Sequence, residues 1–381
     1  MQRVDFCPKR ALILTKVTRL EFERRLHPGL SDSEIDYELS RRGSNYKRLF
    51  NSHNEHKAYL KVMEQELSDA KIEVRVVDRF HCDTAAIDWS DVVFTAGGDG
   101  TFLHAASQVR NNEKPVIGIN TDPNGSEGYL CLYRSLKSDH FKSALHQLLK
   151  GEFNWLYRQR IRLKLRGSRE YVEHIGTDDV QCVPQGDMVL PRCAHDTSES
   201  AAGEEIVVPE LALNDVFIGE SHSSRVSYFD IQLDDEHEPV KQKNSGITIC
   251  TGTGSSSWFF NINKLTSQSV SDILKAAAKE LHINLPSEDP KFVNRICDDF
   301  NGHLTFSPTV QKMAYSFRDP INNSVFRSFP PRGFANRLLI KSRCFDAHVV
   351  IDGGVAYKFN DGAEAILEVF PEDTLKTVVI R

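Results

Sequence analysis

DVVFTAGGDGTFLHAASQVR, residues 91–110, decides how the chain is read, because a strand pattern, a glycine-rich turn and a helix start follow one another without a break. Val92, Val93 and Phe94 form a short β-branched and aromatic run that suits a parallel strand covered on both faces. Gly97, Gly98 and Gly100 give the backbone places to approach a ligand with no Cβ in the way. Phe102, Leu103, Ala106 and Val109 then share one helical face, and Thr101 in the opening turn offers a side-chain oxygen as a cap. The first N–H groups of such a helix have no internal partner and point back at the glycine turn. A phosphate placed there meets donors and the positive end of a dipole. Phosphate binding by Gly97, Gly98, Gly100 and Thr101 is the expectation.

Asp99 is the odd residue, a carboxylate between two glycines at a spot otherwise built for an anion. It either helps to hold a magnesium ion on a nucleotide or accepts the proton of a hydroxyl that attacks a phosphoryl group. The plainer alternative is a tight turn in which Asp99 caps the following helix. Neither GxxxxGK[ST] nor a spaced G-x-G-x-x-G occurs at this turn, so the two common phosphate loops are excluded.

GGDGT followed by an apolar helix resembles the NAD kinase family, whose wider relatives include the diacylglycerol and sphingosine kinases and, more distantly, the phosphofructokinases. The resemblance implies ATP as phosphoryl donor with Mg²⁺ carried on the nucleotide. No protein metal site is expected.

The 381 residues are 40% hydrophobic and 26% charged, enough chain for two domains of ordinary size. A net charge of −6 with no basic tract argues against nucleic acid as a partner. No apolar run reaches the length of a membrane span, and the N-terminus lacks a signal-peptide core, so no membrane partner is expected. The opening residues lead almost directly into a first strand, which suggests that any transit peptide has been removed or was never there. Eight scattered cysteines without CxxC spacing favour reduced, packed thiols over disulfides or a zinc knuckle.

Strands at Ala11–Leu14, Ile72–Val77, Asp91–Thr95 and Pro115–Ile119 alternate with helical segments. This predicts an α/β N-terminal domain over residues 1–155, a doubly wound, Rossmann-like parallel sheet with ligands at the carboxyl ends of its strands. Residues 27–47 read as a polar excursion. Ser52 and Glu55 have capping-box spacing and predict a helix running to about Ala70. His53 and His56, one turn apart, lack an Asp or Cys partner in the pattern and read as a solvated helix end rather than a metal site. A helix over Ser138–Lys150 closes the domain. From 156 to 365 the pattern is β-rich, with a mobile loop at about 179–205 and a helical insertion at about 269–284, and the tail 366–381 returns to the first domain as it does in the family.

Two segments of the β-rich half resemble the family's dinucleotide-binding motifs. Leu213-Asn214-Asp215-Val216 resembles its Asn-Glu pair, with Asp215 one methylene shorter, so that a bond to a ribose hydroxyl needs a closer ligand or a bridging water. TGTGSSSW, Thr251 to Trp258, looks like TPTGSTAY, with Gly252 in place of proline and Trp258 in place of tyrosine. Hydroxyls and bare backbone can bond an adenine edge and ribose there, and Trp258 offers a ring for stacking. As alternatives, Asn-Asp is an ordinary turn pair, and a serine-rich run can be an empty linker. A late Asp-Gly turn at Asp352 completes the family order. After Asn120 the loop TDPNGSEGYL matches the family's G-x-N-x-G-x-L-G-F-L only with extra residues inserted.

The resemblance implies ATP-dependent phosphorylation of the 2′-hydroxyl of the adenosine ribose of NAD. Asp99 would be the base, and Asn120, Asn214, Asp215, Thr253, Gly254, Ser255, Ser256 and Trp258 would bind NAD between the domains. It also implies a homodimer in the mitochondrial matrix. A lipid kinase of the diacylglycerol or sphingosine type and a non-catalytic NAD(H) sensor remain as alternatives.

Overall fold

In this computed structural model, residues 6–121, 123, 125–133, 140–167, 174–176, 205–234, 238–321 and 330–380 are described. The four apolar runs of the N-terminal part become β1 (Arg10–Thr15), β2 (Glu73–Asp78), β3 (Val92–Gly97) and β4 (Val116–Asn120). They form a parallel sheet in the order β2-β1-β3-β4. Ala11, Ile13, Val92, Phe94, Ile117 and Ile119 pack on one face of it against Tyr59, Leu60, Met63 and Leu67 of α3 (Tyr46–Asp69) and Phe141, Leu145 and Leu148 of α6 (His140–Lys150). Leu12, Leu14 and Val93 alternate with these and are equally buried, so both faces of the sheet are covered.

The remaining helices of this part are α1 (Arg19–Leu26), α2 (Asp32–Arg41), α4 (Thr84–Trp89) and α5 (Asp99–Gln108). α2 corrects the reading of residues 27–47 as an excursion. Ser31 and Glu34 form a capping box, and Ile35 and Leu39 are buried. α3 begins two turns before Ser52, where the Asn45 side chain accepts from Arg48 N at 2.9 Å. The Ser52–Glu55 spacing therefore lies inside a helix and caps nothing.

The second part is built from antiparallel ladders. One sheet of six strands has the order β11 (Val240–Asn244), β10 (Ser227–Leu233), β15 (Arg337–Ser342), β18 (Glu364–Val369), β6 (Ile161–Arg166) and β8 (Glu205–Val207). The other runs β14 (Arg332–Ala335), β13 (Met313–Phe317), β12 (Ile247–Cys250), β9 (Asp215–Glu220), β16 (Ala347–Ile351), β17 (Val355–Lys358) and β7 (His174–Gly176). Ile161, Leu163 and Leu165 alternate inward from β6 and meet Val216, Ile218 and Ile249 in one core. The insertion after β12 holds α7 (Trp258–Asn263), α8 (Ser267–Leu281) and α9 (Pro290–Gly302). The predicted loop at 179–205 lies almost wholly outside the described residues.

The described residues cluster into two compact units, one ending at Tyr157 and regaining the chain from Thr374, the other running between Arg158 and Asp373. The sequence set these limits at 155 and 365. β19 (Leu375–Ile380) pairs with β5 (Phe153–Arg158) in the first unit. β18 stays in the second, hydrogen-bonded between β15 and β6.

Gly118 marks where β4 and α5 touch most closely. A Cβ there would lie 2.8 Å from Leu130 O and 2.9 Å from Phe102 Cδ2, whereas one on Gly100 would meet nothing within 4 Å. Gly118→Ala is expected to cost about 1–3 kcal/mol of stability through overpacking, and Gly100→Ala almost none. Urea unfolding of the two variants checks this, and equal midpoints would refute the close approach.

Candidate active site

β3 ends at Gly97, in register with Asn120 at the end of β4, and Thr121 N donates to Gly97 O at 3.1 Å. Gly98 is the N-cap of α5 with extended backbone and no side-chain cap. This corrects the capping role expected of Thr101. Its hydroxyl lies over Gly97 instead, so tightly that a Cβ on Gly97 would stand 2.2 Å from Oγ1. Asp99 is the first residue of the helix and Gly100 is exposed.

The Asp99 carboxylate is held from the loop after β4. Oδ1 accepts from Leu130 N at 2.8 Å and Oδ2 from Tyr129 N at 3.1 Å, while Asp99 N donates to Ser126 Oγ at 3.1 Å. That loop is braced in turn by Asn120, whose Nδ2 donates to Ser126 O at 3.0 Å. Gly128, at φ +67, fits against the same amide, since a Cβ would come 2.6 Å from Nδ2. Asn120 therefore shapes the loop that aims Asp99.

His56 departs from the solvated helix end the sequence suggested. It is wholly buried, its Nε2 2.8 Å from Thr15 Oγ1 and its Nδ1 2.9 Å from Thr121 Oγ1. Burial, aided by the charges of Lys16 and Lys57, lowers it to about 4. A neutral imidazole thus ties the carboxyl ends of β1 and β4. Among the described residues no group of three His, Cys, Asp or Glu could hold a metal ion.

In the second unit the strand entry at Leu213–Asp215 and the Thr251–Ser255 loop are brought together. Thr251 N donates to Asn214 O at 3.0 Å, and Thr251 Oγ1 accepts from Thr253 N at 3.1 Å and Gly254 N at 3.3 Å. Gly254 lies flat on Asn214, where a Cβ would be 2.0 Å from its carbonyl oxygen. Gly252 faces Ser307, and a Cβ there would be 2.1 Å from Ser307 O. Ser255 is turned inward, its hydroxyl donating to Gly252 O at 2.7 Å and accepting from Phe306 N at 3.2 Å. Ser256 and Trp258 are exposed.

The whole entry hangs on Asp352, in the turn between β16 and β17 at φ +48. Its Oδ2 accepts from Leu213 N at 2.7 Å, and its Oδ1 from Asn214 N at 2.8 Å and Asp215 N at 3.0 Å. Burial nevertheless raises the Asp352 carboxyl to about 6, against those amides and the Arg160 charge. Burial and the neighbouring Asp352 charge raise Asp215 to about 7. Arg160 is fully buried, donates from Nε to Asp373 O at 2.6 Å and remains a cation although burial lowers it to about 10.

The sequence named the glycine turn, Asn214, Asp215 and the Thr251 loop as candidates, and the structure brings the last three together. It missed Ser126 and the amides of Tyr129 and Leu130, the role of Asp352, and Arg160. The Asp-Gly pair at 352–353 was the one visible signal. The others are a loop serine, backbone amides and a lone arginine between β5 and β6, and no spacing rule exposes them.

A family model described as the ATP-NAD kinase N-terminal domain matches residues 16–153. Human "NAD kinase 2, mitochondrial" is 42% identical over 381 residues, covering 99% of this chain and 85% of that protein. The rat protein of the same name is 41% identical, covering 99% and 88%. Among solved structures, yeast NADH kinase complexed with NADH superposes with a TM-score of 0.53 at 15% identity, over 98% of this chain and 84% of that one. An NAD kinase from Archaeoglobus fulgidus in complex with ATP gives 0.52 at 14%, over 98% and 93%.

An acid whose folded value lies above its ordinary 3.8 holds its proton more tightly in the native state than in the unfolded chain. Asp215 therefore takes stability away as pH rises from that ordinary value through about 7, and none below it. The two carboxyls titrate as a pair. Asp215→Asn should flatten the decline in melting temperature across this window and gain most on the wild type at its upper end. Parallel pH profiles for the two chains would sink the assignment.

Proposed function

This chain belongs to the NAD kinase family, and we propose that it transfers the γ-phosphoryl group of ATP to the 2′-hydroxyl of the adenosine ribose of NAD with Asp99 as the base. Membership makes it an enzyme that phosphorylates NAD, and it sets aside the lipid-kinase alternative. The observation that carries the residue assignment is the Asp99 carboxylate, fixed by Leu130 N at 2.8 Å at the first position of α5, beside exposed Gly100. Oδ2 accepts from both Tyr129 N and Ser126 Oγ, whereas Oδ1 accepts from Leu130 N and keeps a further lone pair for a substrate proton.

In this reading the proton leaves the 2′-hydroxyl for Asp99 as the new P–O bond forms and the bond to ADP breaks. The exposed backbone at Gly100 and the start of α5 receive the phosphates, with Gly97, Gly98 and Thr101 shaping the turn. Mg²⁺ would ride on the triphosphate, because one half-buried carboxylate is no cage for it; bound there it neutralises charge on the phosphoryl oxygens. This reaction class depends on positioning and electrostatics, which rigid loops supply.

Asn214, Asp215, Thr253, Gly254, Ser256 and Trp258 are assigned to NAD. No described residue hydrogen-bonds the Asp215 carboxyl, which leaves it to a sugar hydroxyl, and Trp258 presents an exposed ring. Ser255 serves the loop rather than the ligand. Asn120 acts through the Ser126 loop. The mitochondrial names of the human and rat relatives support a mitochondrial location, and the matrix is the compartment this reading assigns. The exposed Ile273 and Leu281 of α8, with Ile283 just beyond its end, support a homodimer. Among the described residues no helix is long and apolar enough to cross a membrane.

Conversion of NAD to NADP with ATP and Mg²⁺, read by an NADP-specific dehydrogenase, tests the assignment. Asp99→Asn should lower kcat by about 10²–10⁴-fold while NAD binding, measured by calorimetry, persists. A mutant within a few-fold of wild-type turnover would end the catalytic-base role.

A further inference from the structure

Ser126 lies between Asn120 and Gly128, where this chain carries residues beyond the family pattern, so the resemblance assigns it no role. It is half-buried, between exposed Gly125 and Glu127. Its side chain sits against the glycine turn: a Cβ on Gly98 would stand 2.4 Å from Ser126 Cβ and 2.5 Å from its Oγ. Bare backbone at Gly98 lets the serine reach Asp99.

The hydrogen bonds of that hydroxyl leave its proton one destination. Oγ accepts from Asp99 N at 3.1 Å and from Gly128 N at 3.4 Å, which occupies both of its lone pairs. The O–H is left to donate, and its acceptor is Asp99 Oδ2 at 3.4 Å. Serine and aspartate are thus joined twice, through the amide and through the carboxylate. The amide bond also caps α5, whose N-cap Gly98 has no side chain to offer. Thr101 N and Phe102 N both turn back to Gly98 O, at 3.1 and 3.2 Å. Among the described residues of that first turn, this leaves Gly100 N for a phosphate.

The two oxygens of Asp99 are therefore unequal. Oδ2 takes Tyr129 N at 3.1 Å besides the serine, and both of its lone pairs are filled. Oδ1 takes Leu130 N at 2.8 Å and keeps one. Without the serine the carboxylate would present two like oxygens, each on one loop amide, and the Asp99 amide would lose its partner.

We propose that Ser126 is a positioning residue for phosphoryl transfer, its hydroxyl closing Oδ2 so that Oδ1 is the oxygen that takes the 2′-hydroxyl proton. The inference rests on the reading of Asp99 as the base. The proton passes to Oδ1 while the ribose oxygen bonds to phosphorus and the bond from phosphorus to the ADP oxygen breaks. Ser126 exchanges no atom in this step and acts through Asp99.

Steady-state kinetics of NADP formation by the full chain, with Ser126→Ala, Asp99→Asn and the double variant, tests the role. Ser126→Ala removes one oxygen at a half-buried loop position and adds no volume, so the fold should survive, with a melting temperature lowered by no more than one lost helix cap accounts for. It is expected to lower kcat about tenfold, the scale of a slightly misplaced reacting group, with KM for NAD within about twofold of wild type. In the Asp99→Asn background the same change should cost nothing further, because the group it acts through is gone. A purely structural serine would instead cost the same factor in both backgrounds. An unchanged kcat in Ser126→Ala overturns the proposal, and so does a further loss on top of Asp99→Asn, or a raised KM with unaltered kcat. Each of these outcomes leaves the kinase reading standing. A wild-type chain that makes no NADP overturns the kinase reading and the role of the serine with it.

Discussion

One carboxylate fixes the conformation of the strand entry at Leu213–Asp215, on which the neighbouring loop depends. Asp352 accepts three successive backbone N–H groups, those of Leu213, Asn214 and Asp215. Three amides converging on one side chain leave that stretch little freedom, and the burial of the carboxylate makes losing any of them costly. Arg160, anchored on Asp373, supplies the opposing charge. With Asn214 fixed, its carbonyl can receive Thr251 N, and the Thr251 hydroxyl can in turn cap Thr253 and Gly254.

The first unit repeats this device with the roles reversed. Here the carboxylate under control is the reactive candidate, and the amides of Tyr129 and Leu130 control it. Asn120 and Gly128 shape the loop that presents those amides. His56 closes the frame from below by joining Thr15 and Thr121. A histidine kept neutral by burial can donate with one nitrogen and accept with the other, which suits a bridge between two hydroxyls.

The parallel sheet and the glycine turn were legible because β-branched runs, bare glycines and a helical stripe are local patterns, and Val92–Phe94 with Gly97–Gly100 contain all three. The antiparallel half was legible as strands, through alternation such as that of Ile161, Leu163 and Leu165, but not in its order. Pairings such as β6 with β18 join residues about two hundred positions apart. α2 was missed although Ser31 and Glu34 carry a capping box, because polar residues around it hid two buried positions. His56 was misread because its partners, Thr15 and Thr121, lie far off in the chain and belong to residue types that signal nothing by themselves. The candidate side chains could be named from the sequence, while the backbone amides that aim them could not.

Gly252 stands where the family pattern has proline, and the carbonyl of Ser307 fills the space that a proline ring would need. Ser307 lies on the segment returning from the helical insertion, and Pro308 O accepts from Gln159 N at 2.8 Å. Glycine and returning segment therefore form a single steric unit: any side chain at 252 would push Ser307 away and pull Pro308 off the Gln159 amide, so the loop and the end of the insertion can change only together.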